Sequence, residues 1–127
     1  MSNLFILEPT LRTPEVKLDF NARIFSISGE CYPEDANKFF QPIHQIIEEY
    51  FSLEKDLQVF VNLIYFNSSS ARALVELMNV LENHGKDHRS IQVTWQCDQA
   101  DDVTQEFVED LLMDYSFITV SLDFIHS

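Results

Sequence analysis

Glycine is almost missing from this chain: there are two in 127 residues, alongside four prolines. So few backbone breakers leave little room for a flexible linker, and residues 1–127 read as one domain, long enough to bury a sizeable core. Cysteine is as sparse. Cys31 and Cys97 have no close cysteine neighbour, which argues against a disulfide-stapled scaffold and predicts two reduced thiols. Basic residues number eight against 21 acidic ones, for a net charge of −13. That balance opposes a phosphate backbone or an anionic lipid surface as partner, since both demand clustered Lys and Arg. No apolar run approaches the roughly 20 residues of a membrane-spanning helix. The opening MSNLFILEPT has neither a basic segment nor a long apolar stretch, so it does not read as a signal peptide. The expected location is cytoplasmic, with no nucleic acid and no membrane as partner.

Apolar residues are plentiful. They make up 46% of the chain and aromatics 13%, eleven of them Phe, the composition of a globular protein rather than a disordered one. They fall in short runs. LFIL at 4–7, VKLDF at 16–20 and RIFSISG at 23–29 predict three strands, the last two joined through DFNAR as a hairpin of half-buried strands. YPEDANKFFQPIHQIIEEYF predicts a helix with Pro33 in its first turn and Phe39, Ile43, Ile46, Ile47 and Tyr50 on its buried face. Pro42 predicts a kink or a restart within it. LQVFVNLIYF at 57–66 is nearly all apolar, which predicts a central strand covered on both faces. A helix over about 69–84 follows, with Leu74, Leu77, Met78 and Leu81 inward and a stop near Gly85. SIQVTWQC predicts a strand, DDVTQEFVEDLLMDY a helix with Val103, Phe107 and Leu111 aligned, and FITVSLDFI a last strand. Strands alternating with helices after an initial hairpin predict an α/β fold, a mixed sheet of about six strands with about three helices on right-handed crossovers.

The junction YFNSSSARAL at 65–74 places three consecutive serines where an apolar strand gives way to a helix. One helix cap needs one hydroxyl, and Ser68 is the expected N-cap, accepting from a backbone N–H two or three residues on. The same position suits a phosphate, because helix N-termini offer free N–H donors and a favourable dipole. Phosphorylation there adds about −1.5 to −2 charges at one point of the surface. From the residues alone, capping, phosphorylation and a nucleophilic role all stay open. The nucleophile has least support, since there is no Gly-x-Ser-x-Gly elbow and no His close in sequence. Arg72 stands one turn beyond Ser68, placed either to pair with a phosphate or a partner carboxylate, or to sit exposed near Glu76. Asn67 is assigned to shaping the turn.

Other polar residues read more plainly. Gly85 between His84 and His88 makes them solvated loop histidines rather than a metal pair. Asp98, Asp101 and Asp102 are expected to cap the third helix rather than to hold a cation. Trp95 is expected in the core, and Tyr32 with Pro33 at a helix entry.

YFNSSSARAL resembles the Tyr-(Leu/Phe)-Asn-(Thr/Ser)-Ser-Ser motif of the SiaC-type regulatory phosphoproteins, and TPEV at 13–16, SGECYPEDANKFF at 28–40 and VTWQCD at 93–98 agree with it. Cysteine at 31 and 97 departs from the family pattern without touching the junction. The resemblance spans almost the whole chain. It implies a fold similar to the STAS domains of anti-sigma-factor antagonists, whose phosphorylated hydroxyl also sits at a strand-to-helix junction. It implies, further, a non-catalytic partner switch. The unphosphorylated form would bind and activate a diguanylate cyclase, raising cyclic di-GMP and favouring biofilm. A cognate serine/threonine kinase would oppose this and a metal-dependent serine/threonine phosphatase would restore it. The family's phosphorylated residue follows Asn and maps to Ser68, with Ser69 as second acceptor. The partner-binding surface expected from this is Tyr65, Phe66, Asn67, Ser68, Ser69, Ser70 and Arg72. No cofactor, metal or small-molecule substrate is implied. An anti-sigma-factor antagonist acting on transcription is the alternative on the same fold.

Overall fold

Each apolar run of the sequence becomes a strand or the inner face of a helix in the computed structural model, which describes residues 3–54 and 56–125. The elements follow as β1 (Leu4–Leu7), β2 (Glu15–Asp19), β3 (Ile24–Cys31), α1 (Ala36–Leu53), β4 (Leu57–Phe66), α2 (Ser68–Gly85), β5 (Ile91–Asp98), α3 (Asp102–Asp114) and β6 (Thr119–Ile125). The strands form one six-stranded sheet in the order β1-β2-β3-β4-β5-β6. β1, β2 and β3 pair antiparallel, and every later pairing is parallel. The mixed sheet with three helices is the fold expected from the sequence.

Spatial order that matches chain order has a consequence for the layers. Right-handed crossovers that all step in the same direction place their helices on the same face of the sheet. Burial follows suit. On β4, Leu57, Val59, Val61 and Leu63 are buried while Gln58 is exposed and Ile64 is 73% exposed. The apolar run 57–66 is therefore covered on one face, not two as its composition predicted. Coverage of both faces needs a reversal of strand order, and this sheet has none.

Local chemistry explains the other departures. α1 starts at Ala36, capped by Asp35, whose side chain accepts from Lys38 N at 3.1 Å. Pro33 is buried in the connection before it. α1 then continues through Pro42 instead of restarting, held by Phe40, Ile43 and Ile47 in the core on both sides of the proline. α3 buries Thr104, Val108 and Leu111, and leaves Val103 70% exposed. Its inner face is thus rotated from the one predicted, because the hydroxyl of Thr104 is satisfied inside by Asp101 at 2.6 Å. α2 ends in Gly85, whose next residue Lys86 keeps a right-handed backbone. Gly85 is needed for space: a Cβ there would stand 2.5 Å from the Phe117 carbonyl oxygen. His84 lies in the last turn of α2, against the loop placement expected, and pairs with Glu48 at 2.9 Å. Glu82 ties that end of α2 to the chain entering β6, accepting from Ser116 N, Phe117 N and Ile118 N at 2.8–3.1 Å.

Candidate functional site

β4 gives way to α2 across one residue, Asn67. Its backbone N–H donates to the Cys31 carbonyl at 3.3 Å and its own carbonyl accepts from Ala71 N at 2.8 Å. The side-chain Oδ1 accepts from Ser70 N at 2.9 Å. Asn67 is therefore the N-cap, and Ser68 is the first helical residue. Asn and Ser are equally good caps, and the position three residues on decides between them: an Asn67 cap reaches Ser70 N. This corrects the assignment of the cap to Ser68 and frees that hydroxyl from a structural duty.

The three serines have different surroundings. Ser68 and Ser69 are exposed, and Ser70 is fully buried. Ser70 Oγ has no hydrogen-bond partner of normal geometry. It faces the buried Cys31, so cysteine at this position does touch the junction, against expectation; burial pushes the thiol pKa up and the Ser70 hydroxyl offsets part of that rise. The thiol is thereby kept protonated and un-nucleophilic. Ser68 and Ser69 are accessible from outside the protein, while Ser70 lies beneath them. With Asn67 Oδ1 taking the Ser70 N–H, the N–H groups of Ser68 and Ser69 have no acceptor among the described residues.

Around the serines the sheet supplies an aromatic margin. Tyr65 is 52% exposed and meets Tyr32 edge-to-face at 5.7 Å. The Arg12 guanidinium lies 5.6 Å from the Tyr32 ring centroid. Phe66, next along β4, points inward instead and packs against Phe107, which in turn meets Trp95. Tyr65 belongs to the outer surface; Phe66 anchors the junction from below. Beneath both, the β3–β4 register shifts between Gly29 and Glu30, where Gly29 has φ +118°. A side chain is strained at that angle, so glycine fits this bulge.

Arg72 is exposed and lines an open groove of about 850 Å3 with Ser69, Glu34, Asp35, Lys38 and Glu76. The groove was not legible as a site in the sequence. Its origin is topological: β3 and β4 are parallel neighbours, so the helices that follow them begin side by side at the carboxyl edge, where open α/β sheets place their sites. Among the described residues no three His, Cys, Asp or Glu side chains converge to hold a metal ion. Asp101 caps α3, accepting from Thr104 N at 3.0 Å, as the sequence predicted. Among the described residues no helix is long and apolar enough to cross a membrane.

Comparison with known proteins bears on this arrangement. Residues 7–125 match the family described as SiaC family regulatory phosphoprotein. An uncharacterised protein of Pseudomonas aeruginosa (strain UCBPP-PA14) is 28% identical over 118 residues, covering 92% of this chain and 93% of that one. The crystal structure of apo-SiaC from Pseudomonas aeruginosa superposes with a TM-score of 0.87 at 24% identity, covering 97% of this chain and 99% of that chain. A chain in the crystal structure of the diguanylate cyclase SiaD in complex with its activator SiaC, from the same organism, gives 0.88 at 23% identity over 95% of this chain and 99% of that chain. These likenesses establish the shared fold.

Proposed function

The chain belongs to the SiaC family of regulatory phosphoproteins, and on that premise we propose that residues 1–127 act as one non-catalytic, cytoplasmic partner-switch domain controlled by phosphorylation of Ser68. Its unphosphorylated form binds and activates a diguanylate cyclase. A cognate serine/threonine kinase blocks that binding and a metal-dependent serine/threonine phosphatase restores it. The solved complex of SiaD with its activator SiaC, whose fold this chain shares, supports the choice of a cyclase as partner.

One observation carries the proposal. The α2 N-terminus exposes two hydroxyls, on Ser68 and Ser69, and bears no acidic residue in its first turn and a neutral Asn67 cap. The positive end of the helix dipole is therefore uncompensated, the condition in which an added phosphate is stabilised on the free protein. A partner covering Tyr65, Ser68 and Ser69 buries a neutral surface when the serine is free. With phosphate present it must strip water from about two negative charges, at a cost of several kcal/mol unless they are paired. Arg72 and Lys38 are the cations that share the groove with Ser69, and the net charge of −13 opposes any wider pairing. Ser68, directly after the capping Asn67, is the acceptor of choice, with Ser69 second; buried Ser70 is disfavoured by access.

The test is the affinity for a diguanylate cyclase from the organism that makes this protein, measured by calorimetry. Phosphoserine at 68 is expected to weaken binding at least about a hundredfold, each tenfold being about 1.4 kcal/mol. Ser68→Ala should bind as the wild type does. Equal affinity of the phosphorylated and free forms would sink the switch.

A further inference from the structure

α3 is electrostatically unlike the other two helices. Its 13 residues carry Asp102, Glu106, Glu109, Asp110 and Asp114, all exposed, with no Lys, Arg or His. Asp102, Glu106, Asp110 and Asp114 follow one another at four-residue spacing, and Glu106 stands three from Glu109. Those are the spacings at which side chains on a helix face each other, so each pair is a like-charge repulsion. The last turn contains no basic residue, so its carboxylates also meet the negative end of the dipole. Among the described residues no α3 carboxylate has an ion-pair partner.

Large apolar side chains are exposed along the same segment. Met113 is 87% exposed, Val103 70% and Leu112 45%, and Phe117 just beyond the helix is 51% exposed. Val103, Glu106, Asp110 and Met113 lie at spacings of three, four and three, a single outward stripe with an apolar residue at each end and acids between. The inner side of the helix is fully committed through Thr104, Phe107, Val108 and Leu111. Fold stability explains neither the unrelieved repulsion nor the exposed methionine.

We propose that the outer face of α3 is a second docking surface, taking a cationic amphipathic helix of a partner protein. Lys or Arg side chains at successive turns of that helix neutralise Glu106, Asp110 and Asp114, and its apolar residues cover Val103 and Met113. Charge complementarity selects this occupant: an acidic face repels nucleic acid and anionic membrane, and a second copy of α3 would double the repulsion. The surface lies on α3, a different helix from the one that carries the serines, and the proposal does not rest on phosphorylation of Ser68.

The experiment uses the full chain and a synthetic leucine–lysine helix of about five turns as probe. The triple variant Glu106→Gln, Asp110→Asn, Asp114→Asn is compared with a control of equal charge change, Glu8→Gln, Glu49→Gln, Asp123→Asn, whose residues are exposed elsewhere. The α3 triple is expected to weaken peptide binding at least about tenfold and yet raise the melting temperature by about 2–5 °C, because it removes repulsion. Met113→Gln, which removes the apolar contact without changing charge, should weaken binding about threefold, the control triple less than about twofold. Equal weakening by the control triple would show that net charge alone attracts the peptide, and overturns the proposal. A lower melting temperature for the α3 triple overturns it too, by showing that the acids serve the fold. Self-association of the wild type that Met113→Gln abolishes assigns the face to a second copy, and is equally fatal.

Discussion

Two strand-to-helix junctions stand near one another at the carboxyl edge of this sheet, and they share one plan. Asn67 and Asp101 each end a strand connection, cap a helix, and accept from the backbone N–H three residues on, Ser70 at 2.9 Å and Thr104 at 3.0 Å. Both of those residues are hydroxyl-bearing and buried. The difference is charge. At α3 the cap is a carboxylate, followed by Asp102, so the dipole is already answered. At α2 the cap is a neutral amide with no acid in the first turn. α1 follows α3, since its cap is Asp35 with Glu34 before it. A helix end whose charge is built in cannot be switched by adding charge. The neutral one can, and it is the one that exposes two serines.

The largest test of this contrast lies in the caps. Asp101→Ala removes two accepted bonds, from Thr104 N and from Thr104 Oγ1, and is expected to cost about 2–3 kcal/mol. Asn67→Ala removes one and should cost about 1 kcal/mol. Urea titrations measure both, and an equal or larger cost at Asn67 would mean that the neutral cap is no weaker. A finer test compares the buried hydroxyls. Thr104→Val breaks a bond to a charged group and should cost about 1.5 kcal/mol, whereas Ser70→Ala removes an unsatisfied oxygen and should stay within about 0.5 kcal/mol of wild type. The smallest effect concerns the two thiols. Burial raises both, but Cys97 is raised further by Asp101 and Asp98, while Cys31 has only the Ser70 hydroxyl to offset its burial. A thiol with a raised pKa holds its proton in the fold after the unfolded chain has lost its own. Stability is therefore full below the usual thiol pKa of about 8.5 and falls as the pH rises through the raised values. Asp101→Asn should lower the pH at which Cys97 reacts with iodoacetamide and leave Cys31 unmoved.

Much of this architecture is legible in the residues. The run LQVFVNLIYF coincides with β4, and the alternation of SIQVTWQC gives β5 with Val93, Trp95 and Cys97 inward. What failed was information held by the topology or by side chains acting at a distance of three residues. Composition makes β4 look covered on both faces, yet Phe60 and Ile64 stand on the open one. The choice between Asn67 and Ser68 as cap depends on which oxygen reaches Ser70 N, and the letters alone offer two equal candidates. Thr104 reads as an outer, polar position until Asp101 is seen to satisfy its hydroxyl. The groove of Ser69, Arg72 and Lys38 joins residues from two helices, and nothing local to either announces it. For the junction itself, the neutral run after Asn67 was visible from the start; its contrast with the acidic caps needed all three helix ends side by side.

A sheet whose strands stand in space as they stand in the chain can be built from one edge without rearrangement. As synthesis proceeds from the N-terminus, the β1–β2–β3 meander forms from contacts close in sequence, and each later helix and strand docks on an edge that already exists. No strand has to be inserted between two others, so no gap in the sheet must be held open while the chain waits for its filler. The final strand, β6, then becomes the far border of the sheet, and the unit that carries the serine junction, β4 with α2, is in place before the acidic helix α3 is made. The serine junction is assembled first and its negatively charged flank last.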